Sequence, residues 1–124
     1  MNVVDSSGWL EYFADGKGAG FFAPAIENSA HLLVPVISIY EVYKRIYQQR
    51  GRDDALTAIA SMQSGQLIYL DEHLALEAAE FSADNKIPMA DSIIYVMAQA
   101  HGATLWTQDV DLKDLPKVRY QTKA

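Results

Sequence analysis

Short apolar runs alternate along the chain with longer stretches in which apolar residues return every three or four positions. Val3-Val4 opens a brief strand, and the spacing of Trp9, Leu10 and Phe13 predicts a helix over Ser6 to Phe13. Gly16, Gly18 and Gly20 then break the chain before a second short helix carrying Phe21, Phe22, Ala25 and Ile26, which ends near Asn28-Ser29. Leu32-Leu33-Val34 reads as a buried strand stopped by Pro35. Helices are predicted over Ser38 to Gln49, closed by Gly51, and over Asp53 to Met62. A strand over Leu67 to Leu70 and a helix over Glu72 to Asn85 follow. Pro88 opens a helix reaching His101, with Gly102 where a left-handed cap would sit. Thr104 to Thr107 is a strand, Asp109 to Leu115 a loop, and Val118 to Tyr120 a last strand. No repeat, linker or low-complexity tract divides this pattern, so residues 1–124 are expected to form one α/β domain. Strands alternating with helices of this length imply three layers, α/β/α, around a parallel sheet of about four or five short strands.

Composition narrows the chemistry. Against 16 Asp and Glu stand 10 Lys and Arg, a net charge of −6 that speaks against a broad nonspecific nucleic-acid coat but leaves room for a local basic patch. The absence of Cys excludes disulfides, thiolate metal sites, thiol nucleophiles and iron–sulfur clusters, and fits a reducing compartment. Met1-Asn2-Val3-Val4-Asp5 lacks the basic lead of a signal peptide. The longest apolar stretch, Leu32 to Tyr40, contains Pro35 and falls far short of the ~18 to 20 residues that span a bilayer. A cytoplasmic protein with no membrane partner is the expectation.

Four acids stand out as a set: Asp5, Glu41, Asp91 and Asp109, with Asp111 as a fifth. Asp5 follows the first strand directly, Asp109 follows the strand ending at Thr107, and Glu41 opens the helix after Leu32 to Val34. In a parallel sheet all strand C-terminal ends share one edge, where such folds bind ligands. Asp91 opens a helix and follows no strand, so the pattern alone does not bring it there. Each acid has a structural explanation as well. Asp5 suits a helix N-cap, Ser38-Ile39-Tyr40-Glu41 fits a capping box, Asp91 suits a first helical turn, and Asp109 and Asp111 suit turns.

The surroundings favour a joint role. The Pro88 to His101 helix is apolar nearly all round, which marks a buried element on which an unpaired Asp91 is costly. Converging carboxylates raise one another's pKa unless a cation balances them. Only Lys44 and Arg45, near Glu41, offer nearby positive charge in sequence. Oxygen ligands without His or Cys at ligand spacing suit Mg²⁺ or Mn²⁺, and those ions commonly support phosphoryl or phosphodiester chemistry. Lys44, Arg45, Gln48 and Arg52 fall within about 60° of Glu41 on a helical wheel, a stripe that reads either as a solvated face or as a short phosphate-tracking ridge.

The chain resembles the PIN-domain family, and within it the VapC-like toxins of bacterial toxin–antitoxin pairs. The resemblance rests on Val3-Val4-Asp5-Ser6-Ser7, Ile37-Ser38-Ile39-Tyr40-Glu41-Val42, Ile87-Pro88-Met89-Ala90-Asp91-Ser92-Ile93-Ile94 and Leu105-Trp106-Thr107-Gln108-Asp109-Val110-Asp111-Leu112, in that order along nearly the whole chain. It implies an α/β/α nuclease whose acids Asp5, Glu41, Asp91 and Asp109 bind Mg²⁺ or Mn²⁺ and cleave RNA, leaving a 5′-phosphate and a 3′-hydroxyl. It also implies that Ser6 and Thr107 orient carboxylates, that Asp111 is an auxiliary acid, and that Asp91 joins the others. Lys44 and Arg45 are the candidate RNA-binding residues. Family members commonly dimerise and are silenced by a cognate antitoxin, so a homodimer and an antitoxin partner are expected. Two features depart from the family: Leu112 stands where Phe is frequent, and the charge is low for an RNA-binding enzyme. Setting aside the four site acids leaves −6 + 4 = −2, so most of the excess belongs to the site.

Other residues read as structure. His31, His73 and His101 lie far apart with no partner at ligand spacing. Trp9, Phe13, Phe21 and Phe22 are assigned to the core before an antitoxin groove. Tyr43 and Tyr47 are assigned to core or dimer packing before base stacking, for which Tyr40 is also a candidate. Two rival functions are a receiver-like phosphoacceptor domain and a catalytically inactive PIN-fold binding module. The first lacks the adjacent acidic pair after strand one and has no need of Glu41 or Asp91.

Overall fold

The computed structural model describes residues 1–123. Along the chain come β1 (Asn2–Val4), α1 (Ser6–Phe13), α2 (Ala19–Ile26), β2 (Leu32–Pro35), α3 (Val36–Arg50), α4 (Arg52–Met62), β3 (Gln66–Ile68), α5 (Glu72–Asn85), α6 (Met89–Ala100), β4 (Thr104–Thr107) and β5 (Val118–Tyr120). The five strands form one sheet in the order β3-β2-β1-β4-β5, and every pairing is parallel.

Alternation along the strands builds the layers. Val3, Leu33 and Leu105 face one side, where Ala78 of α5 and the apolar length of α6 from Ile93 to Ala98 cover them. Val4, Leu32, Val34 and Trp106 face the other, against Trp9 of α1, Phe22 of α2, Val42 and Ile46 of α3 and Met62 of α4. A period of two in the strands against 3.6 in the helices thus yields two cores around one sheet. No helix among the described residues is long and apolar enough to cross a membrane.

Helix and strand ends mostly follow the local chemistry. Gly51, at φ 91°, sits between α3 and α4 in a conformation that a side chain would strain. The second helix ends at Ile26, short of Asn28-Ser29, and two further boundaries differ from expectation. Pro35 is the last residue of β2 and the N-cap of α3, so the helix starts at Val36 and not at Ser38. Its φ of −62° and ψ of 136° are those of extended chain, and strand passes into helix without a loop. The Ser38–Glu41 capping box is therefore absent: Ser38 is a buried residue of the helix and Glu41 lies in its second turn. The third strand ends at Ile68, and Tyr69 and Leu70 emerge into solvent.

The seat of α1 against the sheet is tight. A Cβ at Gly8 would lie 2.6 Å from a ring carbon of Phe22 and 2.8 Å from Val4 Cγ1, and both partners are fully buried. Gly8→Ala is expected to destabilise the fold by about 1–3 kcal/mol through overpacking, read as a lower urea midpoint with an unchanged slope. A midpoint equal to wild type would show that α1 can shift at no cost.

Candidate active site

The strand order reverses at β1, whose neighbours β2 and β4 are reached from opposite directions, and the crevice beyond the C-terminal ends of β1 and β4 is where such a sheet binds ligands. Val4 pairs with Trp106, and the Asp5 amide donates to the Trp106 carbonyl at 3.2 Å, so Asp5 and Thr107 leave the sheet side by side.

Asp5 is only 2% exposed and caps α1. Its Oδ1 accepts from the Gly8 amide at 2.8 Å and from the Ser7 hydroxyl at 3.0 Å, while its Oδ2 accepts from the Thr107 hydroxyl in a short contact. The same Thr107 oxygen accepts from the Asp109 amide at 2.9 Å. A hydroxyl has one proton to give, and here it goes to Asp5 while a lone pair takes the Asp109 N–H. Thr107 therefore ties the two acid-bearing loops together. Asp109 in turn accepts from the Asp111 amide at 2.9 Å, which folds the short turn Val110–Leu112 and leaves Asp111 exposed. On the other flank, the Ser6 hydroxyl donates to Glu41 Oε1 at 2.6 Å and fixes that carboxylate over α1.

Asp91 lies in the first turn of α6. A helix that leads into a parallel strand runs back along the sheet, so the first turn of α6 sits above the same edge as Asp5 and Asp109. The electrostatics record the meeting. Burial, first, and then the charges of Asp109, Asp5 and Glu41 together raise the Asp91 carboxyl to about 7. Burial also raises Asp5; the hydrogen bonds from Thr107, Gly8 and Ser7 pull the other way and do not cancel it. Among the described residues the acids have no ion-pair partner within salt-bridge distance; the one such pair, His73–Glu77 at 3.9 Å, lies on α5.

Within the described residues no three His, Cys, Asp or Glu form a ready-made metal cage. A hard divalent ion does not require one. Mg²⁺ keeps several waters and takes one or two carboxylates together with substrate phosphates. Oxygen-only donors that repel one another without a counter-charge fit such an ion, with Asp5, Asp91 and Asp109 as holders and Glu41 at the side.

The other expected residues divide. Arg45 lines a groove of about 570 Å³ that opens beside the acids at Ser7 and Gln108 and runs over Leu10, Phe13 and Ile46 to Arg50. Lys44 does not line it; its Nζ lies 5.8 Å over the ring of Tyr40. Trp9 and Phe22 are fully buried, whereas Phe13 reaches the groove. Tyr43 packs partly against the core, but Tyr40 and Tyr47 are exposed. The ring nitrogens of His31 and His101 are engaged locally, with Asn28 and the Met97 carbonyl. Sequence reasoning missed Ser7, which the capping role of Asp5 could have pointed to, and Gln108, whose buried amide reaches Glu11 at 3.4 Å with no sequence signal.

The fold and this edge together define an open parallel α/β domain with an uncompensated acidic centre at its point of strand reversal. The chain belongs to the PIN domain family, whose model matches residues 3–118. Its fold is shared with a toxin–antitoxin complex from Klebsiella pneumoniae, at a TM-score of 0.80 and 18% identity, covering 96% of each chain. It is shared equally with VapC20 of Mycobacterium tuberculosis, a sarcin–ricin loop cleaving toxin, at a TM-score of 0.79 and 16% identity over 95% of this chain and 97% of that one. VapBC2 from Rickettsia felis, bound to a DNA fragment from its promoter, matches at 0.74 and 12% identity over 98% and 97%. No curated protein matches the chain significantly in sequence.

Two measurements follow from the site. An acid whose pKa is raised on folding binds its proton more tightly in the folded chain, so stability falls as pH rises from the unfolded value near 4 through about 7. In chelator, the melting temperature should drop between about pH 4 and 7, and Asp91→Asn should flatten that drop; a flat wild-type profile would refute the clustering. Thr107→Val removes the hydroxyl between Asp5 and Asp109 at nearly constant shape. It should weaken Mn²⁺ binding, measured calorimetrically, by about 10- to 100-fold.

Proposed function

We propose that the chain is a Mg²⁺- or Mn²⁺-dependent endoribonuclease and the toxin of a cytoplasmic toxin–antitoxin pair, working as a homodimer. The observation that carries this reading is a set of acids with no cationic partner within salt-bridge distance, of which Asp109, Asp5 and Glu41 act with burial to raise the Asp91 carboxyl to about 7. Family membership and the toxins among its structural neighbours support it.

A divalent ion bound by Asp5, Asp91 and Asp109 would offset their repulsion and polarise the scissile phosphate. The protein supplies the rest. Thr107, Ser7 and the Gly8 amide hold Asp5 in one orientation, and Ser6 holds Glu41 at the rim. Glu41 would take a proton from the attacking water, and Asp111 would act as an auxiliary acid. The rival phosphoacceptor reading lacks an adjacent acidic pair after β1, where Ser6 follows Asp5, and has no need of Glu41 or Asp91.

The groove beside the acids suits the antitoxin. Leu10, Phe13 and Ile46 offer apolar surface to one face of a helix or extended segment, and Arg45 and Arg50 stand at its side. Arg45, four residues after Glu41 on α3 and lining the groove, is also the candidate to meet an RNA phosphate, so antitoxin and substrate would compete there.

The decisive assay is cleavage of total cellular RNA by the purified protein with Mn²⁺ or Mg²⁺. Discrete fragments that vanish with chelator, and fall by at least about 100-fold in Asp91→Asn, are the expected result. No fragments from folded protein free of antitoxin would move the assignment to a binding module. Arg45→Ala should lower RNA affinity and reduce the slope of log affinity against log salt by roughly one; an unchanged slope would return Arg45 to the solvated face.

A further inference from the structure

The residue immediately before Glu41 is Tyr40, and its side chain is 63% exposed although it is one of the larger apolar surfaces on the molecule. It contributes to neither core; Tyr43, one turn on, does that instead. Lys44, four residues along, places its Nζ 5.8 Å over the Tyr40 ring. At i+7 the helix returns Tyr47, 53% exposed and stacked on Tyr43 at 5.8 Å between centroids and 22° between planes. One flank of α3, beginning beside the acidic centre, thus carries aromatic faces and a cation. It lies on the opposite side of Glu41 from Arg45 and the groove.

We propose that Tyr40 is the platform on which a base adjoining the scissile phosphate stacks, with Lys44 meeting the next phosphate. The proposal rests on the nuclease reading and deepens it by naming what positions the substrate. Every base has a π-face, so a tyrosine ring grips an unpaired nucleotide whatever its identity. A base inside a duplex has no face to offer, so the strand must be single or splayed at this point. Cation–π contact with Lys44 steadies the ring and puts a positive charge over one of its faces. Self-association explains the flank less well, since interface centres are poor in lysine. The apolar groove between α5 and α6, about 450 Å³ and lined by Ala75, Ala79, Met89 and Ile93, is the better surface for a second copy.

Tyr40 is exposed enough that its replacement should leave stability within about 0.5 kcal/mol of wild type. Binding is read by fluorescence anisotropy of a labelled single-stranded oligoribonucleotide that the wild type cleaves, on the uncleaving Asp91→Asn protein. Tyr40→Ala should weaken it about tenfold, Tyr40→Phe should preserve it, and in the active protein the alanine effect should fall on KM more than on kcat. Unchanged affinity in Tyr40→Ala, or equal loss in Tyr40→Phe, overturns the stacking role while leaving the nuclease intact. A Tyr40→Ala protein that changes from dimer to monomer on a sizing column makes this flank an interface between copies and overturns it too. If the wild type cleaves no RNA at all, the nuclease reading itself fails and the platform with it.

Discussion

Like charges held at one edge of a sheet repel one another, and the remainder of the molecule is arranged to hold them there. Asp5, Asp91 and Asp109 arrive from three separate elements, and Glu41 from a fourth. No Lys or Arg among the described residues lies within salt-bridge distance of them. Asp5, Glu41 and Asp109 are oriented by neutral donors: the Thr107, Ser6 and Ser7 hydroxyls and the Gly8 and Asp111 amides. Hydroxyl and amide dipoles orient a carboxylate without discharging it, so the negative potential stays available to a bound cation.

The anchoring depends on packing that is set far from the acids. Asp5 is fixed because α1 lies tightly on Val4 and Phe22, an approach that only glycine at position 8 permits. Asp91 is fixed because α6 is buried along its length from Ser92 to Ala98 and cannot roll to expose its acid. The site inherits its rigidity from both cores, one on each side of the sheet. This division explains why burial is the leading cause of the upward shift at both Asp5 and Asp91.

Much of this was legible in the sequence because period and punctuation are strong signals. The helix Glu72–Asn85 and the strands Thr104–Thr107 and Val118–Tyr120 were readable to the residue. The start of α3 was not, because proline was read as a stop when its extended backbone here serves as the cap. Asp91 could not be placed from spacing alone, since its position depends on α6 running back along the sheet, a fact of topology that local pattern does not contain. The bridging role of the Thr107 oxygen belongs to the same class: it requires β1 and β4 to be neighbours, and they are about a hundred residues apart. Exposure was the other blind spot. Helical spacing put Tyr47 with Ile46 on an apolar side, yet Ile46 is buried and Tyr47 is not.

The acidic net charge gains a different meaning once the site is assembled. An acidic centre would repel a polyanion at long range, so an RNA-cleaving chain with this charge needs attraction that acts only near the site. Its cations stand on either side of Glu41, Arg45 and Arg50 along the groove and Lys44 on the opposite flank with Tyr40. Such an arrangement gives little nonspecific affinity, because few phosphates are neutralised at once. On the proposed nuclease reading, it would favour a strand that presents an unpaired base and a phosphate together at the right spacing, and leave a smooth duplex without a hold. Selectivity would then come from weak general attraction combined with a local grip, a combination that a strongly basic surface could not provide.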